Sequence, residues 1–376
     1  MRIATVAAAL LALVTGTLGL AHAQQPSVLF AGTSGGGCGF EVARKLNAAG
    51  FALRGMPYPG LDENPLTWEQ VQGANVLVLT GLGRANADMT LPARTAQTLE
   101  TLRRFLEAGG GVLWFSSFGQ MATDKPPQDA FLNPLGLTPL FAEMPADPET
   151  EVVGTAWKIP FSHAAGMVAS PVMEGVTSLW YPTPHYRIGA QNHTIPFSAD
   201  ANWTVLVKGG RGSLTKAGPL QAGAPTDPGT YRSEVPIIAS REVGKGRIVY
   251  LGITPEYLIG PHALTTLEGV VLERGMRNAP SGGYKLLENA LKWLAEPSLG
   301  GELGGAAMDA AMLEDPHKTR FGTAWDWSPG VSFPAVEPAH TGAIGARTTY
   351  STGKATVAEW VAAAKARGLA FIVFLE

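Results

Sequence analysis

The chain has 376 residues, 45% of them hydrophobic and 16% charged, with 46 glycines and 28 prolines. That supplies a large core with many tight turns, enough for two domains or one large domain with an appendage. A net charge of −3 without a basic tract argues against nucleic-acid and anionic-membrane partners, and a single cysteine, Cys38, excludes an internal disulfide and a thiolate metal cage.

In chain order, Arg2, an apolar run over 3–20 and the small-x-small step Ala21-His22-Ala23 predict a signal peptide over 1–23 and export to the periplasm or beyond. The run is also near the length of an uncleaved membrane anchor; its glycines, threonines and Ala-x-Ala ending favour cleavage. No later stretch is apolar for long enough to span a bilayer.

Val28-Leu29-Phe30-Ala31 reads as a buried strand feeding the turn Gly32-Thr33-Ser34-Gly35-Gly36-Gly37. A helix follows, with Phe40, Ala43 and Leu46 on one face and Gly50 as its stop. A second strand covers 51–56, and Val76-Leu77-Val78-Leu79-Thr80 is the uninterrupted apolar run of a strand covered on both faces. The spacing of Leu99, Leu102 and Leu106 predicts a helix over 95–108 ended by Gly109-Gly110-Gly111. Val112-Leu113-Trp114-Phe115 is the fourth strand, turning at Ser116-Ser117-Phe118-Gly119.

Residues 122–232, rich in Pro, Gly and aromatics, read as an irregular insertion over the sheet's carboxyl edge. A hairpin then spans 235–240 and 247–251 around Gly244-Lys245-Gly246, and an amphipathic helix covers 285–296, with Leu287, Ala290, Leu291 and Leu294 on its stripe. This rhythm predicts an α/β fold with a doubly wound, mostly parallel sheet of the flavodoxin-like or amidotransferase-like kind over 24–298. Residues 299–338 read as a linker. Thr356 and Glu359 then open a helix, and 369–375 is a strand on which the text stops, as if a longer domain were cut.

The runs quoted above, with Ser170-Pro171-Val172-Met173-Glu174-Gly175-Val176 and Gly244-Lys245-Gly246-Arg247-Ile248-Val249-Tyr250, resemble in order and spacing the class I glutamine amidotransferase-like superfamily, in particular its trehalose-utilisation-type branch. The resemblance covers about 27–296. It implies a nucleophilic cysteine on the elbow and a histidine with a carboxylate after a late strand. Here Ser117 stands at the cysteine's place, Thr254 at the histidine's, and Glu256 at the carboxylate's. Without an imidazole neither hydroxyl is activated near neutral pH, so a non-catalytic or ligand-binding module is expected, with a carbohydrate link implied by the branch.

Residues 339–376 resemble the opening of a polymerase-and-histidinol-phosphatase (PHP) metallophosphoesterase domain, through Gly345-Ala346-Arg347-Thr348-Thr349-Tyr350-Ser351-Thr352-Gly353, a capped helix and Phe371-Ile372-Val373-Phe374-Leu375-Glu376. The ligand positions hold Gly345, Arg347 and Thr352. A glycine offers no donor and an arginine repels a cation, so no metal is expected within this chain. A barrel continuing past Glu376 is one alternative function.

Any ligand, a small molecule or carbohydrate, is expected at the carboxyl ends of the strands, around Gly35, Gly36, Gly37, Gly81 and Thr254. The glycine loop lies where backbone amides can hold an anion, or it is simply a tight turn; it carries neither a dinucleotide nor a P-loop signature, and no cofactor is expected. The other alternative is a hydrolase using Ser117 or Cys38, with Glu256 and a histidine from the insertion, His163, His185 or His193. Those histidines, beside Tyr186 and Asn192, lack metal-ligand spacing. Trp180, Tyr181, Trp325 and Trp327 are either sugar-stacking platforms or core.

Overall fold

A computed structural model describes residues 25–33, 35–116, 122–153, 160–164, 166–183, 194–217, 227–260, 270–314, 342–346, 349 and 354–374. The predicted signal peptide, Ser117, Tyr186, Asn192, Trp325, Trp327, Arg347, Thr352, His185, His193 and the side chain of Glu256 lie outside them. The chain forms two compact units, 1–314 and 315–376.

In the first unit, β1 (Ser27–Ala31), β2 (Ala52–Gly55), β3 (Val76–Leu79) and β4 (Gly111–Phe115) alternate with α1 (Phe40–Ala48), the short α2 (Trp68–Val71) and α3 (Ala93–Glu107). Both long helices end by the same device. Gly50 and Gly109 take positive φ of 95° and 93°, and the amides around them close back on the last turn: Gly110 donates to the Phe105 carbonyl at 2.9 Å and Phe51 to that of Leu46 at 3.1 Å.

After α4 (Lys125–Leu132) the insertion is more regular than its composition predicts. It contributes β5 (Leu137–Pro139), β6 (Val152–Val153), β7 (Pro160–His163), β8 (Gly166–Met167), β9 (Trp180–Pro182), β10 (Phe197–Ala199) and β11 (Thr204–Lys208). The hairpin β12 (Pro236–Val243) and β13 (Gly246–Leu251) and helix α5 (Gly283–Ala295) complete the unit.

The main sheet runs β2-β1-β3-β4-β13-β12-β11-β8. The first five strands are parallel and the remainder antiparallel. The parallel half, 2-1-3-4 and then β13, has the flavodoxin-like order, with its switch point between β1 and β3. The apolar strands alternate faces as period-2 geometry requires. Val28, Phe30, Val76, Val78, Leu113 and Phe115 pack with the stripes of α1 and α5. Leu29, Ala31, Leu77, Leu79, Val112 and Trp114 pack on the other side with α3, α2 and α4.

Past α5 the structure departs from the expected linker. Residues 299–314 lie against the sheet's edge strand. Leu303 is 1% exposed within the core, Gly304 donates to the Gln72 carbonyl, and Asp309 donates to that of Leu53 at 2.8 Å. Met308 Sδ accepts from the Leu53 amide at 3.0 Å. The outward backbone groups of Leu53, which an edge strand leaves to solvent, are thereby occupied.

The second unit pairs β14 (Gly342–Ala346) in parallel with β15 (Phe371–Phe374) through α6 (Val357–Ala366). Its helix opens with the expected capping box, Glu359 N donating to Thr356 Oγ1 at 3.2 Å and Thr356 N to Glu359 Oε2 at 2.7 Å.

Candidate functional site at the carboxyl edge of the sheet

Five loops leave the carboxyl ends of the parallel strands. The first, 32–39, joins β1 to α1, and the chain doubles so tightly there that position 36 admits only glycine. A Cβ on Gly36 would lie 1.8 Å from the Phe30 carbonyl oxygen. Gly36 donates its amide to Met56 O, beyond β2, at 2.7 Å, and Gly35 donates to Gly32 O. Gly39, at the start of α1, donates to Ile259 O in the loop after β13 at 2.7 Å.

These bonds bear on the anion reading of the glycine loop. An anion cradle needs free amides at the helix start, but those of Gly35, Gly36 and Gly39 serve protein carbonyls. The three bonds tie β1, the chain after β2 and the β13 loop together, and take those three amides out of any anion cradle. Gly81 follows β3 with a φ of 151°, so Gly35, Gly36, Gly37 and Gly81 flank the switch point from its two sides. Thr254 stands two strands further along, after β13.

Cys38 sits half-buried against the apolar cluster beneath α1. Burial pushes its thiol up to about 12, so near neutral pH it is a protonated, packed side chain rather than a thiolate. A nucleophilic role for Cys38 is therefore disfavoured. A helix start would lower a thiol pKa, but here the cost of burying the charged form outweighs it.

Thr254 is completely buried, and its hydroxyl has no hydrogen-bond partner. Ser116, which directly follows the neighbouring β4 and donates its amide to Leu251 O at 2.8 Å, is the same: fully buried, its Oγ unpartnered. Buried hydroxyls are ordinarily satisfied by protein or water, and these two, on adjoining strand ends, have no protein partner. The sequence placed weight on Ser117 in this elbow and passed over Ser116; its signal was a second serine directly after an apolar strand.

Of the seven histidines, His163 is the one among the described residues. It lies on β7, with Nε2 2.8 Å from Ser178 Oγ and its ring edge-on to Trp180, centroids 5.0 Å apart. Burial lowers its pKa, so it is a neutral residue engaged within the insertion. Trp180 and Tyr181, weighed as stacking platforms, are buried core side chains; Trp180 Nε1 donates to Ala279 O at 3.0 Å. Among the described residues no three His, Cys, Asp or Glu side chains converge as a metal ion would require.

No protein-family model matches this sequence, and no curated protein matches it. Several solved structures are similar. A ThuA-like protein from Bacteroides uniformis is 15% identical over 74% of this chain and 94% of its own, with a TM-score of 0.42. A cytoplasmic protein of Salmonella typhimurium is 12% identical over 71% and 99%, with a TM-score of 0.41. A second ThuA-like protein, from Parabacteroides merdae, is 12% identical over 78% and 100%, with a TM-score of 0.38.

Proposed function

We propose that this chain is an exported binding module on an amidotransferase-like scaffold, without amidotransferase chemistry, and that it takes a small polar molecule at the carboxyl edge of its parallel strands. The observation that supports this most is the state of Thr254. The position that the resemblance assigns to a catalytic histidine carries a fully buried hydroxyl with no partner, which can neither take a proton from an elbow nucleophile nor return it. Ser116 beside it is likewise buried without a protein partner. The loops there are held by backbone hydrogen bonds, giving a preformed rim.

A carbohydrate is the ligand class implied by the trehalose-utilisation resemblance. The decisive assay follows ammonia release from glutamine and hydrolysis of p-nitrophenyl acetate by the purified chain, beside Ser117→Ala. Neither protein should exceed the buffer rate. Turnover that Ser117→Ala abolishes would overturn the proposal. Titration calorimetry with trehalose and glucose tests the ligand class separately. For export, expression in a bacterial host followed by amino-terminal sequencing should find a mature start at Gln24; an uncleaved Met1 in the cytoplasm contradicts it.

A further inference from the structure

A cavity of about 340 Å³ lies beside β2, away from the orphan hydroxyls. Its apolar side is built by Leu29, Met56 and Leu66, all 5% exposed or less. Two opposite charges also line it: Arg54 of β2 and Asp309 of the segment that covers the sheet edge. A charge on β2 is out of keeping with its neighbours, since Ala52 and Leu53 are fully buried apolar positions.

Arg54 is poorly served by the protein. Its Nη2 donates to the Gln70 carbonyl at 3.1 Å, while its Nε is buried with no partner. Asp309 is the charge that acts on it through space, and the ion pairs of the described residues do not include the two. Asp309 is solvent-exposed at the cavity's rim, and its Oδ1 accepts from Ala311 N at 3.0 Å. The buried, unpartnered Nε of Arg54 is costly until an acceptor reaches it, while Asp309 holds its carboxylate open to solvent.

Charge complementarity narrows what can do so. A simple anion would meet Arg54 but be repelled by Asp309, and a simple cation the reverse. An apolar molecule would leave the Arg54 Nε without an acceptor. A zwitterion serves both, its carboxylate accepting from the guanidinium and its ammonium donating to Asp309, while an apolar side chain covers Leu29, Met56 and Leu66. The volume is at the lower end for ligand pockets, which suits one small molecule. We infer that this cavity binds a small zwitterion with an apolar side chain, of the α-amino-acid class, held between Arg54 and Asp309. This cavity lies at the carboxyl end of β2, is not lined by Thr254 or Ser116, and is tested independently of them.

The test uses the full mature chain and titration calorimetry with L-leucine and L-methionine, with hexanoate and hexylamine as single-charge controls. Both amino acids are expected to bind, and each control at least about tenfold more weakly. Asp309→Asn, whose side chain can still cap Ala311, should weaken L-leucine about tenfold, and Arg54→Met should abolish it. Because Arg54→Met removes a tie to Gln70 and can unfold the region, hydrogen exchange on the wild type gives an independent reading. L-leucine should slow exchange of the Asp309 and Gly304 amides. Failure of both amino acids to bind, hexanoate binding as tightly as L-leucine, Asp309→Asn leaving affinity unchanged, or protection confined to other loops would each overturn the inference.

Discussion

At Cys38 two local effects have opposite signs. A helix start favours the thiolate by part of a charge, and burial disfavours it by more, leaving the thiol near 12. We therefore expect 5,5′-dithiobis(2-nitrobenzoate) to label Cys38 at pH 8 roughly fifty-fold more slowly than free cysteine, after allowing for the greater nucleophilicity of a more basic thiolate. Labelling at the free-cysteine rate would contradict the packed position. Gly36 gives a second test. Its Cβ-free approach to Phe30 O leaves a methyl nowhere to go, and Gly36→Ala should lower unfolding free energy by at least about 2 kcal/mol in urea denaturation. A third concerns His163, whose pKa is lowered by burial. Its neutral form is favoured on folding, so this contribution to stability is complete above the unfolded value near 6.5 and is lost as pH falls through it toward the lower folded value. Thermal melts between pH 7.5 and pH 5 should show a drop that His163→Gln makes shallower. What could not be read at this scale was whether the amides of the glycine loop were free. That depended on Met56 O and Ile259 O, partners that lie 20 and 220 positions away from the amides they receive.

Among elements, the parallel strands and long helices were legible because burial on both faces writes itself as an unbroken apolar run closed by glycine. The insertion was not. Its strands are two to five residues long, too short for a period to register. The edge-covering segment 299–314 was also missed, for a different reason. A stretch that follows a strand edge without regular repeat leaves only isolated signals, here Leu303, Met308 and Met312. Arg54 did leave one, a lone charge in an apolar run, whose meaning needed Asp309 from across the chain. Leu303→Ala tests the packing of that segment. Deleting a buried leucine with little room to relax should cost about 2–4 kcal/mol by chemical denaturation; a cost below about 0.5 kcal/mol would mean the segment is not docked as described.

For the whole molecule, the contrast is between a unit with helices on both faces of a sheet and a unit whose described residues form one helix and two strands. The second buries Ala346 and Ala364 while Val357, Val361, Phe371 and Val373 stay exposed, and a two-stranded sheet is marginal by itself. We expect a chain of residues 25–314 to unfold in one calorimetric transition within about 3 °C of the midpoint of 25–376. A larger loss would show that the last 62 residues, 315–376, hold the first unit together. Strand order was readable only in part. The alternation predicted a doubly wound sheet, but the three antiparallel strands beyond β13 draw β8 and β11 from the insertion, which nothing in their composition announces.

The sheet's two borders are finished unequally. At one, β8 offers just Gly166 and Met167, too little for a second molecule to grip. At the other, Leu53 presents groups that a foreign chain could copy onto, and Met308 and Asp309 already occupy them. Removing residues 299–314 should therefore turn a self-contained molecule into one that stacks on its own kind, visible as concentration-dependent growth in light scattering before any loss of helix or sheet by circular dichroism.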